Sequence, residues 1–142
     1  MVLVPMAGTG IEIVHMVKLL CVNIGFTNTQ IATPEEHDKI IAFTSQLAHV
    51  VSSAYIKSPT ALNHKGFSAG SYKDLTRVAK LNEHMWTELF LDNPDYLVEE
   101  IDCIISKLTE YRDAINNKDK EILCNLLKEG RERKMIIDGE RF

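Results

Sequence analysis

Two short stretches hold most of the residues in this chain that can do chemistry. The first is a polar stripe inside an otherwise apolar helical segment: Asp38, Ser45, Gln46, His49, Ser52 and Ser53 recur at i, i+3, i+4 and i+7, so they share one helix face. Ile40, Ile41, Phe43, Leu47, Val50, Val51 and Ala54 make the rest of that helix apolar. The stripe therefore lines a buried cavity, where its polar groups need partners, or faces water; composition alone leaves both readings open. The second stretch is Gly70-Ser71-Tyr72-Lys73-Asp74-Leu75-Thr76-Arg77. A glycine-bearing loop entering a helix N-terminus offers free amides to an anion, and Arg77 is suited to bidentate carboxylate binding. Taken alone, Asp74 and Arg77 also read as a surface ion pair worth little. Trp86, the single tryptophan, is either core or the wall of an aromatic-ligand pocket.

A third pattern, Val2-Leu3-Val4-Pro5 followed by Gly8-Thr9-Gly10, mimics the opening of a dinucleotide-binding unit. The third glycine position is Ile13, no acidic residue closes a second strand, and no further βα units follow. It reads as an ordinary turn into a helix.

The elements that position these groups are almost all helical. Residues 2–5 read as a short strand and Phe26–Ala32 as an extended connector. Ile11–Ile24 is a helix closed by Gly25. Thr33-Pro34-Glu35-Glu36 is a capping box with proline at the first helical position, opening a helix that runs to about Lys57, before Ser58-Pro59. A loop covers Ala61–Gly70. Ser71-x-x-Asp74 reads as a second capping box, opening a short helix to about Lys80. Further helices span Glu83–Leu91, Pro94–Asn116 (stripe Leu97, Ile101, Ile104, Ile105, Leu108, Tyr111, Ile115) and Asp119–Ile137. The last two are too apolar on one face to stand alone, which points to a partner subunit.

The bulk properties exclude several classes. The 142 residues carry 45% hydrophobic and 25% charged residues and a net charge of −4, so no nucleic-acid partner is expected. No apolar run approaches the roughly 20 residues that span a bilayer, and no basic leader precedes the first apolar stretch; the expectation is a cytoplasmic protein with no membrane partner. Cys21, Cys103 and Cys124 form neither a C-x-x-C pair nor an even set. They read as small buried hydrophobes in a reducing compartment, with no metal site.

Taken in order, Thr33-Pro34-Glu35-Glu36-His37-Asp38, Thr44-Ser45-Gln46-Leu47-Ala48-His49-Val50-Val51, Gly70 through Ala79, Met85-Trp86 and Phe90-x-x-Asn93 resemble the C-terminal domain of prephenate dehydrogenases. The resemblance implies an all-α helical bundle whose two long C-terminal helices form an intertwined homodimer. A short N-terminal strand would be left over from a Rossmann domain outside this chain, with residues 1–9 its edge and linker and 10–142 the helical domain. It implies oxidative decarboxylation of prephenate to 4-hydroxyphenylpyruvate with NAD, in tyrosine biosynthesis. By position, Arg77 would bind a substrate carboxylate. His49 and Gln46 would line the pocket and hydrogen-bond the substrate, Gly70 would allow close backbone approach, Asp74 and Trp86 would shape the pocket, and His37 would lie at its margin. The catalytic histidine and the NAD site belong to the Rossmann half, so no catalytic residue is expected here and the chain alone should be inert. Ala48 replaces a common proline and Ser71 a common glycine; neither change removes a functional group. The alternatives are an arogenate dehydrogenase, or a free-standing dimerisation or aromatic-acid-sensing module without catalysis.

Overall fold

The computed structural model describes residues 1–67 and 69–139; Ser68, inside the expected 61–70 loop, and residues 140–142 lie outside the described residues. The chain divides into two compact units, residues 1–100 and 101–142.

Unit 1 opens with strand β1 (Val2–Leu3), helix α1 (Ile11–Asn23) and strand β2 (Gln30–Ile31). The strands pair in parallel, Val2 opposite Gln30 and Leu3 opposite Ile31. Gly25 ends α1 at φ +104°; its N–H reaches the Val22 carbonyl at 3.0 Å and the Phe26 N–H reaches Cys21 at 2.9 Å. These paired bonds cap the last carbonyls and need a left-handed residue, which glycine supplies. Cys21 is the one buried residue of α1. Ile11, Met16, Leu20 and Ile24 are exposed, so most of its apolar surface has no cover within this chain.

Helix α2 (Pro34–Ile41) starts as its sequence predicts. The Glu36 N–H donates to Thr33 Oγ1 at 3.1 Å and the Thr33 N–H to Glu36 Oε2 at 2.9 Å, closing the capping box. The single helix expected from Pro34 to Lys57 is continuous but not uniform. Ala42–Leu47 is π-helical before α3 (Ala48–Ile56) resumes. A π turn takes one extra residue, so the residues beyond it are rotated by about 100° from a straight α-helix.

The polar stripe points inward. Gln46 and Ser52 are buried, and Asp38, Ser45, His49 and Ser53 are half-buried, which removes the water-facing reading. It is the apolar Ile40, Phe43 and Tyr55 that are exposed.

After a 3₁₀ turn at Pro59–Asn63 come α4 (Gly70–Thr76) and a second 3₁₀ turn at Arg77–Ala79. The second capping box does not form. Ala69, not Ser71, occupies the cap position and makes no side-chain bond. Ser71 lies inside the first turn, too late to cap it. Both α4 and the 77–79 turn pack on α3. Helix α5 (Glu83–Leu91) is capped by Asn82, which accepts from the Met85 N–H at 3.0 Å.

Helix α6 (Pro94–Asn116) begins in unit 1, where Leu97 is buried, and ends in unit 2. Within unit 2 it folds back on α7 (Lys120–Ile137). Tyr111 Oη donates to the Leu126 carbonyl at 3.1 Å, and Ala114 is buried. The reversal uses Lys118 at φ +54°, with Asp119 N–H on Ala114 O at 2.9 Å and Lys118 N–H on Ile115 O at 3.1 Å. Asp119 then caps α7 through the Glu121 and Ile122 amides. Cys103 and Cys124 are exposed in the single chain, which corrects the expectation that all three thiols are buried. On α6, Ile101, Ile104 and Tyr111 are half-buried while Ile105, Leu108 and Ile115 are exposed. The apolar stripe is wider than one packed partner consumes. Among the described residues no helix is long and apolar enough to cross a membrane.

Lys118 holds a left-handed conformation that costs a side chain with a Cβ about 1–2 kcal/mol. Lys118→Gly should therefore raise stability, by about 0.5–1 kcal/mol after glycine's own unfolded-state entropy is subtracted. Thermal or urea denaturation at fixed protein concentration reads this; a lower midpoint would contradict the assignment.

Candidate functional site

The π segment disturbs the regular i→i−4 ladder, and side chains take up carbonyls around it. Thr44 Oγ1 donates to the Ile40 carbonyl at 2.8 Å. Asn93 Nδ2 donates to the Asp38 carbonyl at 2.8 Å and to Gln46 Oε1 at 3.0 Å. Gln46 Nε2 donates to the Leu89 carbonyl at 2.7 Å. The Gln46 amide thus binds the protein at both ends.

One turn on, His49 Nδ1 lies 2.8 Å from the Ser45 carbonyl. A carbonyl only accepts, so Nδ1 carries the proton and the neutral ring presents Nε2 as an acceptor. The ring stacks on Trp86 with centroids 3.7 Å apart and planes at 27°. Trp86 in turn meets Phe90 at 5.4 Å. Trp86 and Phe90 border a recess of about 290 Å³ that also includes Val50, Lys57 and Glu83. Of the expected site residues the structure thus brings His49 and Trp86 together, while Gln46 is bonded to the Leu89 carbonyl and to Asn93.

The others are placed differently. Arg77 is exposed, on the turn that packs against α3. Among the described residues it has no carboxylate partner, and the Asp74–Arg77 pair read from the sequence does not form. Its guanidinium is free for an anion. Asp74 and Gly70 are exposed on α4. A Cβ on Gly70 would meet nothing within 4 Å, so within a single chain no close contact demands glycine there. His37 lies before the π segment, its Nδ1 2.9 Å from Asp38 Oδ1.

A larger concavity of about 550 Å³ lies between α3 and α4, lined by Tyr55, His64, Phe67, Ala69, Ser71 and Tyr72 among others. His64 stacks on Tyr72 at 4.7 Å. The sequence carried no signal for it, because His64 sits in a loop without periodicity. Asn93 was legible only as the residue before a helix-starting proline, not as the donor that reaches the π segment.

In Gly8-Thr9-Gly10, Gly8 takes φ +86° in the turn that leads into α1, and Ile13 holds the third position of the pattern.

An inward polar stripe, a histidine stacked on tryptophan and an arginine without a carboxylate partner among the described residues mark a helical domain with large uncovered apolar faces. The profile of the prephenate dehydrogenase dimerization domain matches residues 33–129, and the chain belongs to that family. It is 31% identical over 109 residues to a cyclohexadienyl dehydrogenase of Zymomonas mobilis, covering 72% of this chain and 37% of that protein. It is 28% identical over 111 residues to a prephenate dehydrogenase of Lactococcus lactis, covering 73% and 31%. Prephenate dehydrogenase from A. aeolicus, solved with hydroxyphenyl propionate and NAD+, superposes at a TM-score of 0.78 with 27% identity over 96% of this chain and 49% of that one. Synechocystis arogenate dehydrogenase shares the fold at 0.77, with 23% identity over 94% and 50%. The chain thus spans about a third of the curated relatives and half of the solved chains.

The stack predicts that His49→Ala lowers stability by about 0.5–1.5 kcal/mol and changes the emission of Trp86, the sole tryptophan. Fluorescence-detected urea unfolding reads both. Unaltered native emission would show that the rings do not stack in solution.

Proposed function

We propose that this chain is the dimer-forming, substrate-binding part of a prephenate dehydrogenase. The full-length protein oxidatively decarboxylates prephenate to 4-hydroxyphenylpyruvate on the route to tyrosine. The observation that carries this reading is His49, fixed by Ser45 and Trp86, on the helix against which the unpaired Arg77 turn packs. Prephenate offers each group a complement. A carboxylate suits the planar guanidinium, a hydroxyl can donate to the His49 Nε2 acceptor, and the ring suits an aromatic wall. Asp74 and Gly70 complete the site from α4, Gln46 supports its wall and His37 stands at its margin.

NAD supplies the hydride acceptor in this reading, held by a nucleotide-binding domain of the full-length protein. Residues 1–9 form the edge of that domain and residues 10–142 the helical domain. The contribution of this chain's residues is to bind and orient the substrate. Oxidation of a bound acid that loses carbon dioxide needs the carboxylates held in place, and Arg77 is the residue suited to one of them.

The exposed line Ile105, Leu108 and Ile115 on α6, with Ile122, Leu127 and Ile136 on α7, is the surface of an intertwined homodimer. So large an apolar face is rare on a solitary soluble domain, and the family is by description a dimerisation domain.

Three measurements test this reading. In the full-length enzyme, Arg77→Ala should raise KM for prephenate about 10- to 150-fold, since a hydrogen bond to a charged group contributes roughly 1.5–3 kcal/mol; an unchanged KM would remove Arg77 from the site. The 142-residue chain alone should give no prephenate-dependent NAD reduction, and measurable turnover would place the nucleotide site within it. Sedimentation should find a dimer that Leu108→Glu converts to monomer; a monomeric parent chain would overturn the interface.

A further inference from the structure

The family resemblance assigns Gln46 to the substrate, yet both ends of its amide are engaged by the protein. Asn93, 47 residues away in sequence, donates to Gln46 Oε1 and also to the Asp38 carbonyl. Gln46 reaches on to the Leu89 carbonyl in the last turn of α5. The three bonds measure 2.7–3.0 Å, and Gln46 is 5% exposed. Bonds this short in a buried place are costly to lose, because each leaves an unpaired polar group.

Their position gives them a second consequence. They grip the helix at Asp38, before the π segment, and at Gln46, within it. The π turn sets the rotation of everything after it, so it decides which way His49 points. Reverting to a regular α-helix would turn His49 by about 100°, off the Trp86 ring on α5, whereas its bond to Ser45 lies within the same helix.

We propose that Asn93 and Gln46 are positioning residues: together they lock the π segment in register and so hold the His49 ring against Trp86. Gln46 acts through His49 rather than on the substrate. The functional importance of this lock rests on the reading of His49 as a substrate-binding group, but its test does not.

The test uses the 142-residue chain without substrate or cofactor, in mildly alkaline buffer. Imidazole ¹⁵N spectra distinguish the Nδ1–H from the Nε2–H tautomer, and Trp86 emission reports the stack. The parent chain should show His49 as Nδ1–H. Gln46→Met keeps length and helix propensity, and Asn93→Leu keeps approximate shape. In either variant, with helical circular dichroism retained, Trp86 emission should change and the His49 ring signals should lose the ring-current shift of the stack. A purely structural role would lower the unfolding midpoint and leave the stack intact. A folded variant with unchanged emission and unchanged His49 ring shifts overturns the proposal, as does a parent chain with His49 in the Nε2–H form, which would contradict its bond to Ser45. If both variants lose their helical signal, the parent chain decides. Side-chain amide protons of Asn93 and Gln46 that exchange as fast as those of the exposed Gln30 overturn the lock. Slow exchange together with the Nδ1–H tautomer supports it. An enzyme that fails to use prephenate would leave all of these outcomes unchanged, so the two readings fail separately.

Discussion

The hydrogen bonds that join Asn93 to Gln46 and Asp38, and Gln46 to Leu89, hold the centre of unit 1 together. They tie the segment around the π turn to the end of α5 and the start of α6. A π turn is a local expense, since it loosens the regular ladder. It persists where surrounding contacts over-determine it, and here an amide network inside a small core supplies that constraint. The buried apolar residues are few, with Ala42, Leu47 and Leu97 among them. Polar bonds therefore carry a larger share of the specificity than they would in a thick hydrophobic core.

That constraint shapes the site. The helix leaves the π turn with His49 facing α5, where Trp86 lies flat against it. The Ser45 carbonyl then selects the ring tautomer. On the other flank, α3 receives the turn that carries Arg77. In the proposed site, an arginine without a carboxylate partner among the described residues and an imidazole with one committed nitrogen would be oriented before an acid arrives.

The uncovered apolar surface describes the other half of the design. Most of α1 and the outer lines of α6 and α7 are exposed, although the sequence is as hydrophobic as an ordinary globular chain. Burying such faces in other surfaces stabilises the assembly by roughly 25 cal/mol per Å². A domain built this way is completed by what it docks against, consistent with a chain that covers half of its solved relatives.

Local signals in the sequence determined where the helices begin and end. Thr33 with Glu36, Gly25 and the aspartate at 119 each act through bonds spanning five residues or fewer, so their effect is written in neighbouring letters. One local signal failed: Ser71-x-x-Asp74 has the form of a capping box, but the cap falls two residues earlier, at Ala69, and α4 starts at Gly70. The residue types of the proposed site were also legible, because few side chains suit an aromatic acid. Only the tertiary structure decided which way the polar stripe faces, that Gln46 serves the fold at both ends of its amide, and that Arg77 stands apart from Asp74. The first two outcomes turn on partners 43 to 55 residues away and on a rotation of about 100° within one helix. A pattern read at a fixed period of 3.6 residues contains neither.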